Sequence, residues 1–195
     1  MNIQAKLVIG LIVVALALGA GLSLSQRQTD AKPSWVNEVQ WSYKPDNAQK
    51  IENLLWAQIS PYRTEYTLVN ISASSDGQRL RLTATAKDSD NLDIYDFTYE
   101  EDKLLLTGYL LEAIPQAYRN DAIGIALEDR EVAASAASSG SPTVRRVLPV
   151  TSGKFYAPKT LLSVTWGGIS ALVDPDDKKV VKVWKAGTSG YPDRG

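Results

Sequence analysis

The first helical pattern in the chain runs from residue 46 to residue 59. Apolar side chains recur there at steps of three and four residues, at Ala48, Ile51, Leu54, Leu55 and Ile59. Asp46 is placed to cap the first turn, and Ser60-Pro61 ends the pattern because proline interrupts a helix. The spacing therefore predicts an amphipathic helix with one buried face.

Four β-type segments follow this helix. Residues 79–85 alternate strictly between polar and apolar side chains, which is typical of a strand with one face in water. Turn residues between Ser74 and Gly77 separate that segment from residues 66–71, so the two segments predict a hairpin. Residues 92–99 and 103–111 predict a third and a fourth strand, joined by a short acidic turn.

The second half of the chain follows the same plan without repeating the sequence. A helix is predicted from Asn120 or Asp121, either of which is suited to cap it, to about Ala137, where a segment rich in Ser, Gly and Pro ends it. Its buried stripe comprises Ile123, Ala126, Leu127 and Val132. Four further strands are predicted at residues 143–150, 161–166, 169–173 and 180–184.

The order of these elements predicts an α+β fold. A helix at the front of each set of antiparallel strands suggests two units, residues 46–114 and 115–186, each with its helix lying across a sheet. Units of this size bury a limited core, so we expect them to pack together as one body. Residues 187–195 are expected to form a flexible tail.

The N-terminal segment predicts a membrane-spanning helix. Residues 7–26 carry no charge, and as a helix they would cover about 30 Å, the thickness of a bilayer's hydrocarbon core. Lys6 precedes them, and the positive-inside tendency then places the N-terminus in the cytoplasm and the later domain outside it. Residues 1–27 are thus predicted to form a single-pass anchor that contacts the lipid of the cell membrane.

A cleaved signal peptide is the alternative interpretation, with cleavage after about residue 20 or 25 and secretion of the rest. Residues 28–45 are polar and contain Pro33 and Pro45, which predicts a tether. Trp35 and Trp41 within it are suited either to the membrane interface or to packing on the folded domain.

The composition restricts the possible functions mainly because two reactive residue types are absent. The 195 residues include no Cys and no His, which excludes disulfides, thiol nucleophiles, Cys/His zinc clusters and a Ser-His-Asp triad. The net charge of -1 gives no electrostatic footprint for nucleic acid. No phosphate-binding loop or dinucleotide fingerprint occurs, so we expect no cofactor, no metal site and no catalytic residue.

Carboxylates are the remaining candidates for chemistry. Glu128 with Asp129, or Glu100 with Asp102, would provide the two acids that glycoside hydrolysis requires. The acidic segment 88–93 offers several oxygen ligands for calcium, but it lacks the glycine and the glutamate of a calcium loop, and its residues also suit an ordinary turn. A carboxylate-dependent hydrolase is therefore an alternative function.

Aromatic side chains provide the candidate partner-binding surface. Tyr95, Phe97 and Tyr99 share one face of a predicted strand, and such a face is suited to bind a protein. The alternative is core packing, because aromatic residues are common in sheets. Asn70 begins an Asn-Ile-Ser sequon, a glycosylation site if this surface lies outside the cytoplasm.

The second half resembles PepSY-type domains. Residues 121–132 are similar to the helix of that family, in which an Ala-Ile-x-Ile-Ala-Leu segment precedes a twisted antiparallel sheet. Residues 171–175 and 179–183 are similar to its closing hairpin, and the resemblance covers residues 121–185 at most. The chain departs from the family between residues 138 and 156, where its linker is long and rich in Ser. The resemblance implies a PepSY- or cystatin-like arrangement and an extracytoplasmic, non-catalytic domain, and it carries over no catalytic residue.

Together these features predict a non-catalytic, membrane-anchored interaction module outside the cytoplasm. It would act as an accessory subunit or assembly factor of an envelope complex, with a protein partner at the membrane. The first alternative is a peptidase-regulating or inhibitory domain, which rests on the PepSY resemblance.

Overall fold

Five strands form the first sheet in the computed structural model, which describes residues 32–152, 155–157 and 159–185. In chain order they are β1 Val39–Trp41, β2 Tyr66–Ala73, β3 Arg79–Ala86, β4 Leu92–Glu100 and β5 Lys103–Leu111. The spatial order is the same as the chain order. β1 runs parallel to β2, and every other neighbouring pair is antiparallel. The four strands predicted from residue 66 to residue 111 are confirmed.

The alternation of apolar residues gives this sheet an inner and an outer face. The inner face carries Ile71, Leu82 and Tyr95 in one cross-strand row, and all three are almost fully buried. The helix α1, Ala48–Trp56, covers this face with Ile51 and Leu55. The outer face is polar or mixed, as the alternation in β3 predicted.

The turn between β4 and β5 fixes the register of this hairpin. Glu101 and Asp102 have φ angles of 48° and 61°, the left-handed pair that a two-residue type I′ turn requires. Glu100 therefore pairs with Lys103. The register shifts further along, where Thr107 has no paired residue on β4 and forms a bulge, while its hydroxyl donates to the Asp96 carbonyl over 3.1 Å.

The prediction of one helix from residue 120 or 121 to residue 137 is wrong. The helix begins earlier, and it is not continuous. The chain instead forms α2, Gln116–Leu127, and α3, Arg130–Ala136. Asn120 and Asp121 lie within α2, while Asp129 breaks the helix and caps α3 by accepting from the backbone N–H groups of Glu131 and Val132. This break also leaves Leu127, predicted to be buried, 41% exposed.

The second sheet contains β6 Thr143–Val147, β9 Leu161–Thr165, β10 Ile169–Asp174 and β11 Lys179–Lys185. Its order is β11-β10-β9-β6, and all pairs are antiparallel. The predicted strand 143–150 stops at Val147, and the short strands β7 Val150–Ser152 and β8 Phe155–Ala157 pair separately. Helices α2 and α3 pack on one face of the four-stranded sheet.

The predicted α+β fold with an N-terminal transmembrane helix is wrong. The described chain is mainly β, and its helices have only 9, 12 and 7 residues, partly because Asp129 divides the second one. Within the part of the chain that the structure describes, no helix is both long enough and apolar enough to span a bilayer. Residues 7–26, which carried the prediction of a single-pass anchor, lie outside the described residues.

Part of the predicted tether belongs to the fold. Val36 is buried, and β1 pairs with β2. The Trp35 ring lies edge-on to the rings of Trp56 and Tyr66, at centroid distances of 6.1 and 6.0 Å. The described residues from Pro33 onward accordingly belong to a single contact unit. Packing on the folded domain therefore accounts for Trp35 and Trp41.

Candidate functional site

A buried polar cluster joins the two sheets. Its side chains are Tyr66 on β2, Asp93 and Tyr95 on β4, and Arg146 on β6, and none is more than 3% exposed. Together with the backbone carbonyl of Ser60, these residues are called the junction cluster below. It is the largest concentration of buried ionisable groups among the described residues.

Arg146 is the centre of the junction cluster. Its Nη2 donates to Asp93 Oδ2 and, over 2.9 Å, to the hydroxyl oxygen of Tyr95. Its Nη1 donates to the Ser60 carbonyl over 2.7 Å. Asp93 also accepts from the Tyr66 hydroxyl, over 2.6 Å, and from the backbone N–H of Ala113, over 2.9 Å. A charge that is buried in this way must be paired and hydrogen-bonded to be tolerated.

Strand alternation places these charges inside. Asp93 lies on the inner face of β4, two residues before Tyr95. Arg146 shares the helix-covered face of the second sheet with Val144 and Leu162. Asp93 and Arg146 therefore each occupy a strand position at which the alternation predicts an apolar residue. A charged residue at such a position is the signal in the sequence that could have indicated the cluster. The partner of each could not be read from the sequence, because Asp93 and Arg146 are 53 residues apart.

Burial dominates the electrostatics of the junction cluster. It raises the pKa of Asp93, while the charge of Arg146 acts in the opposite direction. Burial lowers the pKa of Arg146, but Asp93, Tyr95 and Tyr66 together outweigh it, and the pKa of Arg146 lies above its ordinary value. With its charges paired and hidden from solvent, and only Arg146 Nε left without a partner among the described residues of the cluster, the cluster is arranged to hold the sheets together. Its geometry offers no open face to a substrate.

We expect Tyr66 and Tyr95 to ionise only when the protein unfolds. Burial raises the pKa of both hydroxyls, so the stability they contribute is complete below about pH 10, the unfolded value, and is lost above it. A spectrophotometric titration of the nine tyrosines should therefore show late ionisation that coincides with loss of circular dichroism. Tyr95→Phe should reduce the late amplitude. A reversible titration of all nine near pH 10 in the folded protein would contradict the described geometry.

The structure places the predicted partner-binding aromatics mostly in the core. Tyr95 and Phe97 are each 1% exposed, and their rings stack at a centroid distance of 6.2 Å. Tyr99 is partly buried beside them, and its hydroxyl donates to Asp102 over 3.0 Å. Rings that are this deeply buried cannot contact a partner in this conformation. Core packing, the alternative interpretation, therefore accounts for Tyr95 and Phe97.

Two of the candidate carboxylates have structural partners. Asp129 caps α3, and Asp102 lies 2.6 Å from the ammonium group of Lys50. Glu100 and Glu128 are exposed on separate elements. No group of three or more acidic side chains within the described ranges is close enough to share a metal ion.

The sequon residue lies within the first sheet. Asn70 is on the outer face of β2, between Gln40 of β1 and Thr83 of β3, and it is partly buried.

The most unusual surface feature is the open edge of β5. Of the other outermost strands of the two large sheets, β1 has three residues, β11 carries lysines at 179, 182 and 185, and β6 carries the exposed Arg145. Short length and charge are the usual protection of a sheet edge. β5 has nine residues and only one charge, at Lys103, while Leu105 is 66% and Tyr109 is 40% exposed. Residues 104–110 are called the β5 edge below.

The backbone of β5 is oriented for further pairing. The Leu104 carbonyl accepts from the Gln58 side chain over 2.7 Å, so it points away from β4. Leu106 and Tyr109 hold the same type of position, because their partners Phe97 and Tyr95 follow at two-residue steps along β4. In an antiparallel ladder such residues direct both N–H and C=O to the same side. Because the Leu104 carbonyl is already occupied, Leu106 and Tyr109 are the residues of the β5 edge that offer hydrogen-bonding groups to an added strand.

Comparison with known proteins gives no relative for this chain. No family model matches it, and no curated protein or solved structure is significantly similar to it.

Proposed function

We propose that this chain is a non-catalytic interaction module that binds a partner protein. A strand of the partner pairs with the β5 edge and extends the first sheet. The observation that carries this proposal is the exposure of a long, nearly uncharged edge strand with outward backbone groups. In this role the protein serves as an accessory subunit or an assembly factor of a larger complex.

Strand addition suits what this edge provides. Backbone hydrogen bonds give such a complex its affinity, and the alternating side chains on the two faces give it specificity. Leu105 extends from the outer face and Tyr109 from the inner face, so both faces of an added strand would meet apolar surface. An edge of this kind promotes aggregation when it has no partner. A specific partner would remove that hazard.

The peptidase-regulating alternative stays a prediction. Residues 121–132, which carry the resemblance, are divided between α2 and α3, and residues 171–175 and 179–183 belong to the β10–β11 hairpin and its turn. Dose-dependent inhibition of a copurifying protease by the purified chain would support this function. Binding without inhibition would favour the interaction module.

Site-specific photocrosslinking tests the interaction module directly. Benzoylphenylalanine placed at Leu105, at the edge, should crosslink the full chain to a protein in the cells that naturally produce it. The matched control is Val181, which is 48% exposed on β11 of the second sheet. Crosslinking at Leu105 but not at Val181 is the expected result. Equal crosslinking at both positions, or none at Leu105, would contradict binding at the edge.

A further inference from the structure

The β5 strand is chemically complementary to itself when two copies run antiparallel. Residues 103–112 read Lys-Leu-Leu-Leu-Thr-Gly-Tyr-Leu-Leu-Glu. A basic residue begins this segment, an acidic residue ends it, and leucines lie next to both. Antiparallel pairing places the beginning of one strand beside the end of the other, so opposite charges meet.

The bulge at Thr107 decides which side chains share a face. Before it, Leu105 lies on the outer face and Leu106 on the inner face, opposite Thr98 and Phe97 of β4. After it, Tyr109 is on the inner face, opposite Tyr95, and Leu110 is on the outer face, opposite Ile94. A paired strand must match outer residues with outer residues, since a slip of one residue reverses every side chain.

One antiparallel register satisfies this condition with favourable pairs throughout. Leu105 faces Leu110 of a second copy on the outer side, and Leu106 faces Tyr109 of that copy on the inner side. Leu104, whose carbonyl already accepts from Gln58, and the buried Leu111 come opposite each other further out. Lys103 comes to lie opposite Glu112. Cross-strand apolar and opposite-charge pairs each stabilise a sheet. Sliding by two residues would place Lys103 opposite Leu110 and lose the ion pair.

The charges at the two ends fit this register. Lys103 is exposed and makes no ion pair with a described residue. Glu112 uses its Oε1 to accept from Arg145 over 2.7 Å, and its side chain is 20% exposed. The carboxylate has a second oxygen, and in this register that oxygen would accept from the Lys103 ammonium group of a second copy.

We infer that the strand added at the β5 edge is β5 of a second copy of this chain, in the register that pairs Lys103 with Glu112. This inference rests on the proposed function, because it names the partner for the same edge. The pairing is isologous and closes as a two-fold dimer. The two five-stranded sheets then form one continuous sheet across the dimer.

Charge reversal gives the decisive test. In sedimentation equilibrium of the full chain, the wild type should dimerise, and Lys103→Glu or Glu112→Lys alone should weaken dimerisation about tenfold, because like charges then face each other twice. An equimolar mixture of the two variants should regain the wild-type affinity, since each opposed pair again has opposite signs. Lys182→Glu on β11 is the matched control, an exposed lysine that should change nothing.

The outcomes separate the inference from the proposed function. A wild type that stays monomeric, a dimer insensitive to both reversals, or a mixture without recovery would overturn the self-pairing. If Leu105 still crosslinked to a different protein, the interaction module would stand with another partner. Glu112→Lys also removes the contact with Arg145, so thermal unfolding must show that it is folded. If Glu112→Lys is not folded, Leu105→Lys takes its place in the test. Leu105→Lys should weaken the dimer, and mixing it with Lys103→Glu should not restore the wild-type affinity.

Discussion

Replacing Asp93 with alanine will lower the free energy of unfolding by about 3–5 kcal/mol, because it leaves the buried guanidinium of Arg146 without its counter-charge. Urea denaturation followed by circular dichroism measures this loss. The double variant Asp93→Ala with Arg146→Met should lose less than the sum of the two single changes, because it leaves no unpaired charge in the interior. Additive losses would contradict a direct interaction in the junction cluster.

The pH dependence distinguishes the two single variants. In Arg146→Met, Asp93 loses the charge that opposes the effect of burial, so its folded-state pKa rises further. An acid with a raised folded pKa stabilises the folded state at low pH and loses that contribution as the pH rises. Arg146→Met should therefore regain stability on acidification from pH 7 towards pH 5, relative to Asp93→Ala. Arg81→Ala, which breaks an exposed pair with Asp96, is the control and should change the urea midpoint little.

Phe97→Ala will cost about 3–5 kcal/mol of unfolding free energy, because it removes a ring from a closely packed core. The ring is 1% exposed and stacks on Tyr95. Phe97→Leu keeps most of the volume and should lose clearly less. Chemical denaturation of both variants provides the measurement. A Phe97→Ala protein with wild-type stability but impaired partner binding would restore the sequence-based interpretation of this ring as a partner contact.

The first sheet could be predicted well from the sequence because each strand carries its own signal. Residues 79–85 alternate strictly, and Glu101-Asp102 are placed where two strands of matched length must turn. The helices were harder. Asp129 is as good a cap as Asn120 or Asp121, and only the packing of α2 and α3 on the second sheet decides which of them begins a helix. The error at this point therefore concerns the start and the continuity of the helix, not the amount of helix.

The functional surface could not be predicted in the same way. Tyr95 and Phe97 have a face in common with Asp93, and the sequence does not say whether that face is covered. Coverage by α1 depends on how β1 to β5 assemble. The open edge likewise depends on topology, since any of the predicted strands could have been outermost. The sequence does contain the self-complementary segment from Lys103 to Glu112. This complementarity indicates pairing between copies only once β5 is known to be an edge strand.

Hydrogen–deuterium exchange along β5 tests the central claim, that this edge binds a strand, most directly. The amides of Leu106 and Tyr109 point to the open edge, so they should exchange quickly in dilute Lys103→Glu protein. They should become protected in concentrated wild-type protein, while the amides of β11 keep the same exchange rate in both samples. Protection that appears at the β5 edge with concentration is the predicted result. If the wild-type protein is bound to its partner and these amides still exchange as fast as in the Lys103→Glu sample, the account is contradicted.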